Sequence, residues 1–180
     1  MKKKIFIAIN LPERIKNKLE KYQEEISSSF NDFCPIKWTR KENLHITLFF
    51  IGFVEFDELM DVFNRVEQAV ENIDPFNVDL ENISYAPKAD NPKMVWANGK
   101  ESSEMIEIND QLEKALDFTT VNKFKPHITL GRIIQWQFKR IELDERPDIF
   151  KEFDIFFPVE SIEIMESVKE GYITLKSINL

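Results

Sequence analysis

The feature that most constrains this chain is a four-residue phrase that it uses twice. His45-Ile46-Thr47-Leu48 and His127-Ile128-Thr129-Leu130 both read HITL, and they open on the only two histidines in the sequence. Three matching followers after two unrelated histidines is roughly a one-in-several-thousand coincidence. Ile and Thr suit a strand, but strand propensity gives no reason for histidine to lead both copies. Side chains alternate faces along a strand, so His45 and Thr47 share one face while Ile46 and Leu48 take the other. His127, Thr129, Ile128 and Leu130 divide the same way. Each copy offers an apolar pair to a core and an imidazole with a hydroxyl to the opposite side. Two such strands facing across a groove would collect two imidazoles and two hydroxyls around one small ligand.

The flanking sequence reads as alternating strands and amphipathic helices. Lys4 to Leu11 has apolar residues on both faces and suits a central strand. The first apolar run follows three lysines but is short, holds Asn10 and lacks a small-residue cleavage site, which argues against a signal peptide. Pro12 can open a helix, and Ile15, Leu19, Tyr22, Ile26 and Phe30 form one helical stripe, with the lysines and glutamates between them read as a solvated face. Ile36 to Thr39 reads as a short strand, and the first HITL strand should stop at Gly52. A second helix carries Leu59, Phe63, Val66, Val70 and Ile73. Phe76 to Leu80 alternates as a strand, and a parity slip before Ile83 predicts a bulge. Met94 to Ala97 is another strand, and Ser102 or Ser103 can cap a third helix with Met105, Ile108, Leu112 and Leu116 on its apolar face. After the second HITL, residues 135–152 read as a loop with a helical turn, Pro158 should separate two strands, and Lys169-Glu170-Gly171 marks a hairpin. Strand, helix, HITL therefore occurs twice, which predicts two related lobes with a pseudo-two-fold relation, each giving one motif.

Composition bounds the function. A chain of 180 residues with 43% hydrophobic residues and 16 phenylalanines can bury a core as one domain of two lobes. The net charge of −8 argues against a protein that coats nucleic acid non-specifically. A single cysteine, Cys34, excludes an internal disulfide and points to a reducing cytoplasm. No stretch has the length of a membrane span. There is no HExxH or cysteine cluster for zinc, no Walker motif and no GxSxG elbow, so neither a metal nor a cofactor is expected.

Two histidines facing one another suit a reaction in which one proton is removed and another delivered near pH 7. Each threonine hydroxyl can both donate and accept, which suits non-bridging phosphate oxygens. Charge is locally positive near both motifs: Lys37, Arg40 and Lys41 precede the first, and Lys123, Lys125 and Arg132 surround the second. A planar guanidinium suits bidentate phosphate contact, which singles out Arg132. The aromatics Trp38, Phe49, Trp96, Phe124 and Tyr172 are core residues by default, with one or two available to stack on a base.

The stretches KKIFIAINLPE, WTRKENLHITLFFIG, FKPHITLGR and SVKEGYITL together resemble the two-histidine (2H) phosphoesterase superfamily. Within it the match is closest to the RNA 2',3'-cyclic phosphodiesterases, also called 2'-5' RNA ligases. The resemblance spans nearly the whole chain. It implies an α+β, bilobal fold with antiparallel sheets lining a central cleft and helices outside. It also implies metal-independent opening of a 2',3'-cyclic phosphate at an RNA end, usually to the 2'-phosphate, by a monomer that binds RNA ends or nucleotides. On that resemblance His45 and His127 are the acid–base pair, while Thr47, Thr129 and Arg132 hold the phosphate. Phe49-Phe50 departs from the basic residue and Phe common after the first motif. Two alternatives remain at this stage: a related enzyme acting on 2'-5' oligonucleotides or small cyclic nucleotides, and a module that binds RNA ends without turnover.

Overall fold

The computed structural model describes residues 1–31, 33–118 and 124–180. β1 (Lys2–Asn10) leads into α1 (Glu13–Ser28), β2 (Ile36–Trp38), β3 (His45–Glu55) and α2 (Leu59–Val70). β4 (Phe76–Ala86), β5 (Met94–Gly99), α3 (Ser103–Leu116) and β6 (His127–Ile133) follow. A single-turn α4 (Gln135–Phe138) and the strands β7 (Lys151–Val159), β8 (Ser161–Val168) and β9 (Gly171–Asn179) complete the chain. The paired strands are antiparallel and run in the order β7-β4-β5-β6-β3-β1-β8-β9, with β2 on β6. This is the α+β class expected. Among the described residues, no helix is long and apolar enough to cross a membrane.

The two HITL strands meet in the middle of this sheet. β3 and β6 pair through Ile46 opposite Ile128, the second residue of each motif. Both isoleucines are fully buried, each contributing about 2 kcal/mol of burial. The registers on either side of this junction correspond. Asn10 and Ala8 of β1 lie opposite His45 and Thr47, and Asn98 and Trp96 of β5 lie opposite His127 and Thr129. The repeat seen as strand, helix, HITL is thus a repeat of strand pairing as well.

The helices, however, cross between the two halves. α1 follows β1 in sequence but covers the half of the sheet built around β6. Its Tyr22 stacks on Phe153 of β7, and its Gln23 reaches the backbone of Leu130. α3 follows β5 but covers the other half, and its Asn109 reaches the backbone of Leu48 on β3. The core lies between the helices and one face of the sheet, where Ile5, Ile7, Ile9, Ile46, Leu48, Ile128 and Leu130 are buried. On the opposite face Phe6, Ala8 and Met165 form a small separate cluster.

Local expectations held where chemistry and period agreed. Ser102 caps α3, its Oγ accepting the Met105 N–H at 3.1 Å. The slip in β4 falls between Leu80 and Asn82. Three expectations are corrected. β3 does not stop at Gly52, because Ile51 bulges out of register with β1 and Gly52, at φ +91°, carries the strand on to Glu55. β7 runs through Pro158, since it is an edge strand where a missing N–H can face away from the partner. The stripe of α1 also buries Lys16 and Gln23, so the polar residues of this helix are not all solvated.

Candidate active site

A pocket of about 640 Å³ opens at the junction of the two halves, and His45, Thr47, His127, Thr129 and Arg132 all line it. The five residues singled out in the sequence are therefore brought together, two from β3 and three from β6. Period-2 alternation accounts for the histidine and threonine of each strand, since their neighbours Ile46, Leu48, Ile128 and Leu130 are buried in the core.

Each imidazole is held in the same way. His45 Nδ1 lies 2.8 Å from the carbonyl oxygen of Asn43, and His127 Nδ1 lies 2.7 Å from that of Lys125. A carbonyl can only accept, so each Nδ1 carries the hydrogen and donates it. That leaves Nε2 of each ring as the nitrogen free to exchange a proton with a ligand. In His45 this nitrogen meets Thr47 Oγ1 at 3.0 Å, where a neutral ring accepts the hydroxyl hydrogen.

Aromatic side chains wall both rings. Tyr172 meets His45 edge-on at 4.8 Å between centroids, and Phe6 lies at 5.1 Å. Trp96 stacks on His127 at 3.8 Å. Removal of water by these walls lowers the pKa of both histidines below the ordinary value, against the raising effect of the Asn43 and Lys125 carbonyls. For His45, the positive charges of His127 and Lys16 add to the lowering. Neutral imidazoles therefore dominate the unliganded site at pH 7, and an anion placed between them favours protonation of one.

The placement of Arg132 needs more than alternation. Thr129 and Arg132 are three residues apart and would face opposite sides of a regular strand. Leu130 is an extra residue in the pairing, since Trp96 lies opposite Thr129 and Val95 opposite Gly131. This bulge resets the parity and turns Arg132 to the cleft, with Nη1 3.8 Å from Met94 Sδ. β3 has the same bulge at Leu48, since Ala8 lies opposite Thr47 and Ile7 opposite Phe49. The position matching Arg132 is then Phe50, which is 63% exposed and lines the pocket, whereas Phe49 is buried. The cleft is consequently cationic beside the second motif and aromatic beside the first, where Phe50 and Tyr172 both contact Phe6.

Among the other cations expected near the motifs, Lys125 lines the pocket, while Lys37 and Arg40 do not. Lys41 is tied to Glu13 at 3.2 Å. Lys123 lies outside the described residues. Cys34 is half-buried, and burial raises its thiol pKa, in keeping with a packing role. Among the described residues no group of three His, Cys, Asp or Glu side chains is arranged to hold a metal ion. Sequence reasoning missed Lys16, Phe6 and Phe50. Phe50 had a readable signal, since it stands five places after its histidine as Arg132 does. Lys16 and Phe6 had none, being an ordinary helix lysine and an ordinary strand phenylalanine.

The family model described as LigT like phosphoesterase matches residues 9–96, a span that includes the first motif. A protein of Methanocaldococcus jannaschii named RNA 2',3'-cyclic phosphodiesterase is 29% identical over 168 residues, covering 91% of each chain. One of Archaeoglobus fulgidus with the same name is 29% identical over 133 residues, covering 72% of each. Among solved structures, a Thermus thermophilus protein superposes with a TM-score of 0.77 at 24% identity, over 98% of this chain and 97% of that one. Escherichia coli LigT, solved with 3'-AMP, gives 0.77 at 21% identity, over 100% of this chain and 99% of that one. These structures share the fold.

Proposed function

We propose that the chain is a two-histidine phosphoesterase of the LigT-like kind, a hydrolase of phosphoester bonds, and that it opens 2',3'-cyclic phosphates at RNA ends to the 2'-phosphate. The observation that carries this reading is the matched anchoring of His45 and His127. Both rings are fixed through Nδ1 to the carbonyl two residues earlier, which presents two Nε2 atoms to one pocket. One neutral ring takes a proton from water, whose oxygen bonds to phosphorus. The P–O3' bond breaks, and the second ring, protonated, gives its proton to O3'. Thr47, Thr129 and Arg132 hold the non-bridging oxygens and stabilise the charge that builds on them. No step runs through a metal ion.

The rest of the pocket suits a nucleotide. Its volume of about 640 Å³ is in the range of small-ligand sites. The aromatic side formed by Phe50 and Tyr172, backed by the buried Phe6, offers ring faces and edges for a base. In this reading residues 1–180 work as one domain of two lobes, each supplying one HxT motif, joined at Ile46 and Ile128. The name shared by the archaeal relatives supports the RNA cyclic phosphate as substrate, and with a 5'-hydroxyl in place of water, its oxygen bonding to phosphorus as the P–O3' bond breaks, the same site would join ends by a 2'-5' linkage.

The test is to incubate the purified protein, in EDTA, with an oligonucleotide ending in a 2',3'-cyclic phosphate and to identify the product. A 2'-phosphate end is expected. Loss of activity in EDTA with recovery on adding a divalent cation rejects the mechanism, a 3'-phosphate product reverses the assignment of the leaving oxygen, and binding without turnover leaves an RNA-end binding module.

A further inference from the structure

Both HITL strands depend on a bulge, and each bulge leaves one backbone group without a partner in the ladder. The extra residues are Leu48 in β3 and Leu130 in β6. Both are buried, so their carbonyls must be hydrogen-bonded, and Leu130 O accepts the Thr39 backbone N–H at 2.8 Å. Each of the two carbonyls also accepts from a side-chain amide on a crossed helix. Gln23 Nε2 on α1 donates to Leu130 O at 2.8 Å and to Thr39 O at 2.9 Å. Asn109 Nδ2 on α3 donates to Leu48 O at 2.7 Å. Gln23 and Asn109 are themselves buried, at 6% and 8% exposure. Each acts on the motif of the other repeat.

We infer that Gln23 and Asn109 are positioning residues that hold these two bulges and thereby set what faces the substrate five residues after each histidine, Arg132 on one side and Phe50 on the other. A strand without the bulge at Leu130 would keep Thr129 in the cleft and turn Arg132 to the opposite face, because one residue of register exchanges the faces. Gln23 donates to Thr39 O and Leu130 O rather than to either histidine, and it does not line the pocket. Its effect is therefore transmitted through its two backbone partners, Leu130 beside Arg132 and Thr39 at the pocket wall. Asn109 has the corresponding route through Leu48 to Phe50 and, unlike Gln23, also lines the pocket itself. The inference rests on the proposed function for its substrate but not for its geometry.

The test is a pair of double-mutant cycles. Gln23→Met keeps length and volume but removes both donors. It should fold, by circular dichroism, and lower kcat/KM on the cyclic-ended oligonucleotide by roughly ten- to a hundredfold, the scale of an ångström misplacement. In an Arg132→Ala background the same change should cost less than about threefold, because the residue it positions is already gone. Asn109→Leu should couple in the same way to Phe50→Ala and should act independently of Arg132→Ala. An equal loss in both backgrounds, or a Gln23→Met enzyme with normal kcat/KM, overturns the inference. If Gln23→Met does not fold, the Asn109 cycle decides on the same criteria. If the wild-type protein has no turnover, the proposed function fails while the clamp is still read from inorganic phosphate. Gln23→Met should then weaken phosphate binding about tenfold in calorimetry, and not at all beside Arg132→Ala. Absence of both turnover and phosphate binding in the wild type overturns both.

Discussion

Gly131→Ala tests how the second motif is seated against its neighbour. A Cβ at this position would lie 2.5 Å from Ile36 Cγ2 and 2.8 Å from Trp38 Cε3, where carbon atoms in contact normally stand about 3.5–4.0 Å apart. Both neighbours belong to β2, which pairs with β6 through Ile36 opposite Ile133 and Trp38 opposite Gly131. Ile36 is buried and has no open side to move into, so relief requires β2 to shift by about an ångström from β6. Overpacking of this kind costs roughly 1–3 kcal/mol. For a chain of 180 residues that lowers the thermal midpoint by roughly 2–12 °C. Arg132 follows Gly131 and lies opposite Lys37 of β2, so the same shift moves the guanidinium. Misplacement by an ångström can cost on the order of a hundredfold in rate. The assay is thermal unfolding by circular dichroism together with kcat/KM on a cyclic-ended oligonucleotide. A variant with the wild-type midpoint and wild-type kcat/KM would refute the close seating of β2 on β6 and its link to the site.

Two further outcomes follow from the site. Both histidines have folded pKa values below their unfolded value of 6.5, chiefly through burial. The unfolded chain therefore binds more protons as the pH drops below 6.5, so stability is full above that pH and falls as the pH passes down through the folded values. Denaturant midpoints measured across this range should decline on acidification less steeply when His127 is replaced by Phe, and a decline of unchanged slope in that variant contradicts the assignment. Arg132→Lys should lose most of kcat/KM, because a point charge cannot reproduce a planar fork on phosphate, and full activity in that variant would rule out bidentate contact.

Much of this was legible in the chain because two periods and one repeat carried it. The HITL copies put His and Thr on one face by alternation, and the apolar stripes of α1, α2 and α3 marked their buried sides. The bulge in β4 was visible because polar and apolar residues trade parity after Glu81. The bulges at Leu48 and Leu130 were not, because Leu48-Phe49 and Leu130-Gly131 are apolar or lack a side chain and suit the core on either parity. The crossing of α1 and α3 was hidden for a related reason: a helical stripe says which face is buried, not which strands bury it. Lys16 was read as part of a solvated face, while Gln23 and Asn109 drew no reading, because burial of an amide is visible only once its carbonyl partners are placed. The run of β3 through Gly52 and of β7 through Pro158 shows the limit of Gly and Pro as punctuation. One occupies a bulge and the other an edge, and both are positions that tertiary pairing creates.

The central claim is that His45 and His127 act as one acid–base unit on a cyclic phosphate. It is tested most directly by turnover of a cyclic-ended oligonucleotide by His45→Ala, His127→Ala and the double variant, each checked for folding. Each single substitution should cost at least about a hundredfold. The double variant should lose little beyond the worse single one, because both residues serve the same step. Near-normal turnover after either substitution, or losses that multiply in the double variant, would contradict the account.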